Sequence, residues 1–391
     1  MTNPIKTPSG YSPKLRPEIL SLAQAGELAS DTISDPFAGG EPPRTSNRIT
    51  GYRRIQNWEN YFLCSGICSV GKAVGSPIDD FHFYSAFTGD MFTYLYSEAV
   101  GNPEGLQCDS GVTNYFFAPQ LVKNAYAAFG RECLYLSAAQ IKRDFKAVMN
   151  AIRASVDRGI PVLAWGMGNV TMGSGNTYLP EGCLIGGYDE GDVLYVNLYP
   201  GQERLPAGSV DSDGYSAITH GLDTTNGLFF VGGEIETDMR AACRNAIEAI
   251  PAFLTLLPAE GRYGGRYVFG RQAFDVWAET LETDGFFEGK TDDELNGVCW
   301  NLHCSPYCCV CTSTADEFMS KAAAEFPDLT LASALAPLYG RMRQYKDDVW
   351  SLHGGFFPPM DKFRTHEFRA QIAAILRKMG ELCGEIAGMW G

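Results

Sequence analysis

Pro161-Val162-Leu163-Ala164-Trp165, and after it Gly182-Cys183-Leu184-Ile185-Gly186-Gly187-Tyr188-Asp189-Glu190-Gly191-Asp192-Val193-Leu194-Tyr195-Val196-Asn197, decide how this chain folds. The first run is short and wholly apolar, and Gly159 and Pro161 bound it on the N-terminal side, as for a buried strand. In the second, Gly182–Tyr188 and Val193–Asn197 flank the polar turn Asp189-Glu190-Gly191-Asp192, the pattern of a β-hairpin. Between the two runs lies Gly166-Met167-Gly168-Asn169-Val170-Thr171-Met172-Gly173-Ser174-Gly175. It lacks the Gly-Lys-Ser/Thr ending of a phosphate loop and the helix of a dinucleotide fingerprint, so it reads as a loop bordering a cleft. Leu228-Phe229-Phe230-Val231 reads as a last strand.

Working upstream, residues 140–157 and 119–129 read as helices, the second with Pro119 in its first turn and Gly130 at its end. Residues 81–96 form a block dense in aromatics. Residues 61–74 place Phe62, Leu63, Ile67, Val70 and Val74 at helical spacing, with Gly, Ser and Cys between them, which predicts a buried helix. The first 45 residues are rich in Pro, Ser, Thr and Gly and read as an irregular segment. Downstream of about residue 235 the pattern turns helical: 238–257 (bent at Pro251), 271–282, 314–326, 330–352 and 365–389, with Gly354-Gly355 closing one helix and Thr365 capping the next. The expected organisation is an irregular segment over 1–45, an α+β domain over 46–235 and an all-helical domain over 236–391.

The 391 residues are 45% hydrophobic and 20% charged, ordinary for a globular core. No apolar run reaches the ~18 residues of a membrane span, and the N-terminus lacks the layout of a secretory signal. The formal charge of −15, without any basic run, argues against nucleic acid as a partner. Twelve cysteines at irregular spacing in so large a chain suggest reduced thiols and a cytoplasmic protein.

The segment Arg158–Ala164, followed by Glu181–Asp189, resembles a pattern of papain-like proteins. There a Gly-x-Pro-Val strand precedes a strand ending in Gly-Tyr-Asp, a turn and a return strand. The chain looks like the bacteriocin-leader-processing peptidases and the butirosin-type acyltransferase domains. It is similar above all to uncharacterised bacterial proteins in which a papain-like half precedes a helical half. The block Asp79–Phe92 and the helix around Phe274, Trp277 and Leu281 fit that group as well. The resemblance implies a papain-like cysteine-proteinase fold over the α+β domain. It also implies a cysteine at the start of the first helix, a histidine opening the Gly-Tyr-Asp strand, and an Asn or Asp to orient that histidine.

Measured against that pattern, the expected nucleophile position falls near Tyr61 or Phe62, so Cys64 and, one turn later, Cys68 are the candidate catalytic thiols. Seven residues before Tyr188, where the family has its histidine, stands Glu181. A carboxylate there repels a thiolate. Asn197 matches the orienting position, and His220 and His82 are the substitutes the sequence offers for the base. The expectation is therefore a papain-fold pseudoenzyme that binds a small molecule or peptide in a degenerate cleft lined by Asp90, Trp165, Glu181 and Tyr188. It needs no cofactor, and self-association into a homo-oligomer is compatible with it. The competing expectations are an active cysteine peptidase or acyltransferase using Cys64, and a scaffold or partner protein of a biosynthetic cluster.

Asp90 stands out because a carboxylate in so apolar a run is costly to bury unpaired; Asp109 is similar. Cys299, His303, Cys304, Cys308, Cys309 and Cys311 have the ligand types of a zinc site, but the spacing is not that of paired C-x-x-C knuckles and Pro306 interrupts it. The favoured reading there is a cysteine-rich core helix and no metal.

Overall fold

The computed structural model describes residues 30–38, 44–53, 62–101, 119–165, 167, 170–171, 177–178, 182–199, 210–260, 265–311 and 314–390. The described residues fall into two compact units. One holds residues up to Tyr84 together with 119–239, the other 85–101 together with the chain from Arg240 onward.

The first unit is α+β. Its seven-stranded antiparallel sheet contains β1 (Asn47–Arg48), β2 (Arg131–Ser137), β3 (Val162–Trp165), β4 (Gly182–Tyr188), β5 (Leu194–Tyr199), β6 (Ser216–Ile218) and β7 (Gly227–Glu234). The order is β2-β7-β3-β4-β5-β6, with β1 added against β4. The run at 162–165 is central. It pairs with β4, Trp165 opposite Gly182, and with β7, Trp165 opposite Gly227. All four of its side chains are buried. A strand covered on both edges and both faces has no polar side, hence the absence of alternation.

Helices cover both faces of this sheet. Val162, Ala164, Cys183, Ile185, Leu194, Val196, Leu228 and Phe230 share a core with Val148, Ile152 and Val156 of helix α2 (Phe145–Asp157). Leu163 and Trp165, offset by one along β3, point to the other face. There lies helix α1 (Phe62–Ala73), whose Gly66 sits so close that a Cβ would fall 2.5 Å from Leu163 Cδ1. Two hydrogen bonds close α1, Gly75 N–H to Lys72 O (3.1 Å) and Ser76 N–H to Gly71 O (2.8 Å), with Gly75 at φ +83°. This left-handed glycine closure satisfies carbonyls that would otherwise be orphaned. The same device ends α2 at Gly159, φ +77°, which turns the chain into β3.

The hairpin carries a bulge between Ile185 and Gly187. Gly186 sits in it because the Tyr215 hydroxyl occupies the space a side chain would need, 2.4 Å from a Cβ there. That hydroxyl donates to Ile49 O at 2.7 Å. Gly187 is hemmed in by β1, with Asn47 O 3.0 Å from its Cβ position. Described residues of the expected irregular segment are anchored on this unit. The Asp31 carboxylate accepts from Tyr135 N–H and Lys123 Nζ, and the Asp35 carboxylate accepts from Asn150 Nδ2.

The second unit is mostly helical, with long helices α3 (Gly270–Glu282), α4 (Thr330–His353) and α5 (His366–Ala387). Thr365 caps α5 by accepting from Phe368 N–H, and Gly354 at φ +72° ends α4. The expectation of an all-helical second half needs correction. Leu95–Ser97 pairs with Arg266–Phe269, which pairs with Ala259–Glu260, in a three-stranded sheet. The first of these strands lies within the aromatic block of the sequence, far from its partners along the chain, and it belongs with this unit. No described helix is long and apolar enough to cross a membrane.

The contact of α1 with β3 admits an added methyl group only if the Leu163 side chain shifts. Gly66→Ala is expected to lower unfolding stability by about 1–3 kcal/mol, read by chemical denaturation. Adding Leu163→Val should recover part of that loss, so the double variant is more stable than the sum of the single costs.

Candidate functional site

The candidate thiols sit on α1. Cys64 and Cys68 are one turn apart, and both are fully buried, as are Ile67, Ser65 and Ser69. The helix is enclosed all round, so its small residues are those that fit between sheet and neighbours. Ser69 is tied locally, whereas Ser65 Oγ is buried without a hydrogen-bond partner among the described residues. Ser69 Oγ donates to Ser65 O at 2.9 Å, and the Arg53 guanidinium reaches Ser69 Oγ at 3.3 Å.

A thiolate mechanism needs an imidazole, and each of the chain's five histidines has another partner. His82 Nδ1 lies 2.7 Å from Asp80 Oδ1, and its ring packs on Phe81. His220 Nδ1 lies 2.5 Å from Asp192 Oδ2 on an exposed loop. His220 is also the one non-glycine residue with positive φ (58°) among the described residues. His366 Nδ1 contacts Asp284, and His303 contacts His353.

Of the expected cleft residues, Trp165 and Tyr188 belong to the first unit and Asp90 to the second. Trp165 closes β3 on the α1 face of the sheet, buried, with its carbonyl accepting from Asn226 N–H. Asn197, buried, stands opposite Leu184 on that same face, so the structure brings Trp165 and Asn197 to the side α1 occupies. Tyr188 lies on the opposite face of the sheet. The extra residue at the Gly186 bulge reverses the alternation, so Tyr188 joins Ile185 in the core on the α2 face. Its hydroxyl donates to Asp157 Oδ1 at 2.9 Å, an oxygen that also accepts from Asn47 Nδ2 at 2.8 Å. Burial, then the Asp157 carboxylate, push the Tyr188 hydroxyl up to about 12. It ties the sheet to the helix.

Asp90 belongs to the second unit. It lies in the short turn Asp90–Phe92, buried, with Oδ2 accepting from Thr88 Oγ1 at 3.0 Å. The carboxylate is therefore partnered, as burial requires. Glu181 and Asp109 lie outside the described residues. Of the glycine-rich stretch, Val170–Thr171 pairs with Thr177–Tyr178 as a small two-stranded ribbon.

In the second unit the Cys/His segment is a helix broken by a wide turn. Helix Asp292–Cys299 passes through a π-turn, Trp300–Cys304, into helix Ser305–Cys311. Cys299, His303 and Cys304 are fully buried. The side chains of Cys308, Cys309 and Cys311 lie outside the described residues, and among the described ones no three His, Cys, Asp or Glu groups are placed to hold a metal. Sequence reading missed His353, in the last turn of α4. Its Nε2 lies 2.8 Å from His303 Nε2, with both rings buried among Tyr307 and Phe363. Trp277 packs on the His303 ring. Gly354 marks the end of α4 in the sequence, but nothing there points to a partner 50 residues away.

Compared with known proteins, the chain matches no protein-family profile and no curated protein.

A 2.8 Å contact between two ring nitrogens holds one proton; a second would set two N–H groups face to face. Burial pushes His303 well below its ordinary range, and the His353 ring reinforces this; burial brings His353 to about 4. With folded values below the unfolded one, the native state binds fewer protons. Stability is complete above about pH 6.5 and is lost as pH falls from there toward 4. At the lower limit His353 alone accounts for about 3 kcal/mol. Denaturation across this window should show a shallower slope in His353→Gln than in the wild type; identical slopes would contradict the assignment.

Proposed function

We propose that the protein is a non-catalytic member of the papain-like fold that binds a small molecule or peptide beside α1, on the sheet face that holds Trp165 and Asn197. The single observation that carries this reading is the state of the thiols: Cys64 and Cys68 are enclosed in the core, while each of the five imidazoles has a partner elsewhere. A nucleophilic cysteine needs access to substrate and a base that takes its proton. Buried on a packed helix, these two serve as small apolar residues. Glu181, where the family has its imidazole, agrees with the loss of that chemistry, since a carboxylate disfavours a neighbouring thiolate.

In this reading Trp165 and the start of α1 supply the apolar wall of the site, and Asn197 supplies a polar group to a ligand in place of orienting a base. Cys133, Cys183, Cys243, Cys299, Cys304 and Cys383 are free thiols, the state expected in the cytoplasm, where we place the protein.

The test is turnover. The purified chain, incubated with a peptide library and with acyl thioesters at neutral pH, should release no product above a Cys64→Ala control. Steady release that disappears in Cys64→Ala would establish a working thiol enzyme and overturn the proposal.

A further inference from the structure

The second unit holds a pair of thiols that the proposal above does not use. Cys299 is the last residue of helix Asp292–Cys299, and Cys304 is the last residue of the π-turn. Their sulfurs lie 3.5 Å apart, and both side chains are fully buried.

The backbone explains the juxtaposition. In a regular helix, residues five apart are turned by about 140° from one another, and their side chains leave from different faces. Here Ser305 N–H reaches back to Trp300 O, the i to i+5 bond of a π-turn. The wider turn brings positions five apart into line, so the extra residue stacks one cysteine on the other. Turns of this kind cost stability relative to an uninterrupted helix and recur at functional positions.

We propose that Cys299 and Cys304 are a reversibly oxidisable dithiol, closed to a disulfide by hydrogen peroxide, and that the π-turn exists to hold them in register. One sulfur attacks a peroxide oxygen. The S–O bond forms, the O–O bond breaks, and the departing hydroxide leaves as water with that thiol's proton. The second sulfur then attacks the sulfenic sulfur. The S–S bond forms, the S–O bond breaks, and the second hydroxide leaves as water with the remaining thiol proton. Two thiols and one peroxide give one disulfide and two waters, with sulfur oxidised and peroxide oxygen reduced.

Burial sets the character of the pair. A peroxide molecule is little larger than water, whereas glutathione is too bulky to enter a packed core, so the small oxidant is the one that fits. The hydrogen bond between the sulfurs, and after it burial, raise the Cys299 thiol, which makes the first step slow. The second step is fast, because the resolving sulfur is already in contact. The sulfenic acid is therefore captured before further oxidation to the irreversible sulfinic acid. The crosslink fixes the turn that presents His303 to His353 at the end of α4.

The test uses the full chain. After hydrogen peroxide at neutral pH, the remaining thiols are alkylated in denaturant and the peptides are mapped by mass. The expected product is a Cys299–Cys304 crosslink lighter by two hydrogens in most molecules, reversed by dithiothreitol. Cys304→Ser, shown folded by circular dichroism, should instead leave Cys299 as a sulfenic acid that dimedone traps. Recovery of both wild-type cysteines as free thiols, their conversion to sulfinic acids, or crosslinks from either to Cys308, Cys309 or Cys311 would each overturn the proposal. If Cys304→Ser does not fold, the wild-type map alone decides.

Discussion

The close approach of α1 to β3 at Gly66 is the constraint on which the first unit depends. With Leu163 filling the space where a Gly66 side chain would stand, the helix lies directly on the central strand. Every position on its inner surface must then be small or shaped to fit. Gly66 follows from that requirement, while Cys64, Cys68 and Gly71 lie on the opposite side of the helix, where the Gly71 Cβ position is 2.8 Å from the Tyr84 hydroxyl. Cysteine is among the residues most often found fully buried, and in such a place its volume matters more than its reactivity. The inert role proposed for the two thiols rests on this burial.

A second constraint decides which side chains share a face with that helix. Alternation along the sheet sends Leu163, Trp165 and Asn197 toward α1 and Val162, Ala164, Cys183 and Ile185 toward α2. The bulge at Gly186 interrupts the alternation once and moves Tyr188 to the α2 side, where its hydroxyl meets Asp157. The Gly-Gly-Tyr-Asp sequence is thereby accounted for in structural terms. Gly186 yields to Tyr215, Gly187 yields to β1, Tyr188 ties the sheet to α2, and the Asp189 carboxylate accepts from its own hairpin through Tyr195 Oη at 2.8 Å.

Much of this was legible in the sequence because it is local. The apolar run at 162–165, the polar turn at 189–192, the glycines that end α1 and α2, and the Thr365 cap all act within a few residues, and all appear where the pattern places them. What escaped is long-range. The strand at Leu95–Ser97 lies in a block whose aromatics suit helix and strand alike, and only its pairing with Arg266–Phe269 settles which it is. The same holds for the candidate site. Tyr188 was legible as a strand residue but not by face, because a bulge is a matter of pairing register. Asp90 was legible as a buried carboxylate but not as a residue of the second unit. His353 bears no local mark of its contact with His303.

The central claim is that Cys64 and Cys68 are packing residues. The most direct measurement is the rate at which each cysteine of the native chain reacts with iodoacetamide at neutral pH, resolved by peptide mapping. The account predicts that Cys64 and Cys68 label no faster than the other buried thiols and only as the protein unfolds. Rapid alkylation of either one in the folded protein, with a rate that titrates below the ordinary thiol range, would contradict it.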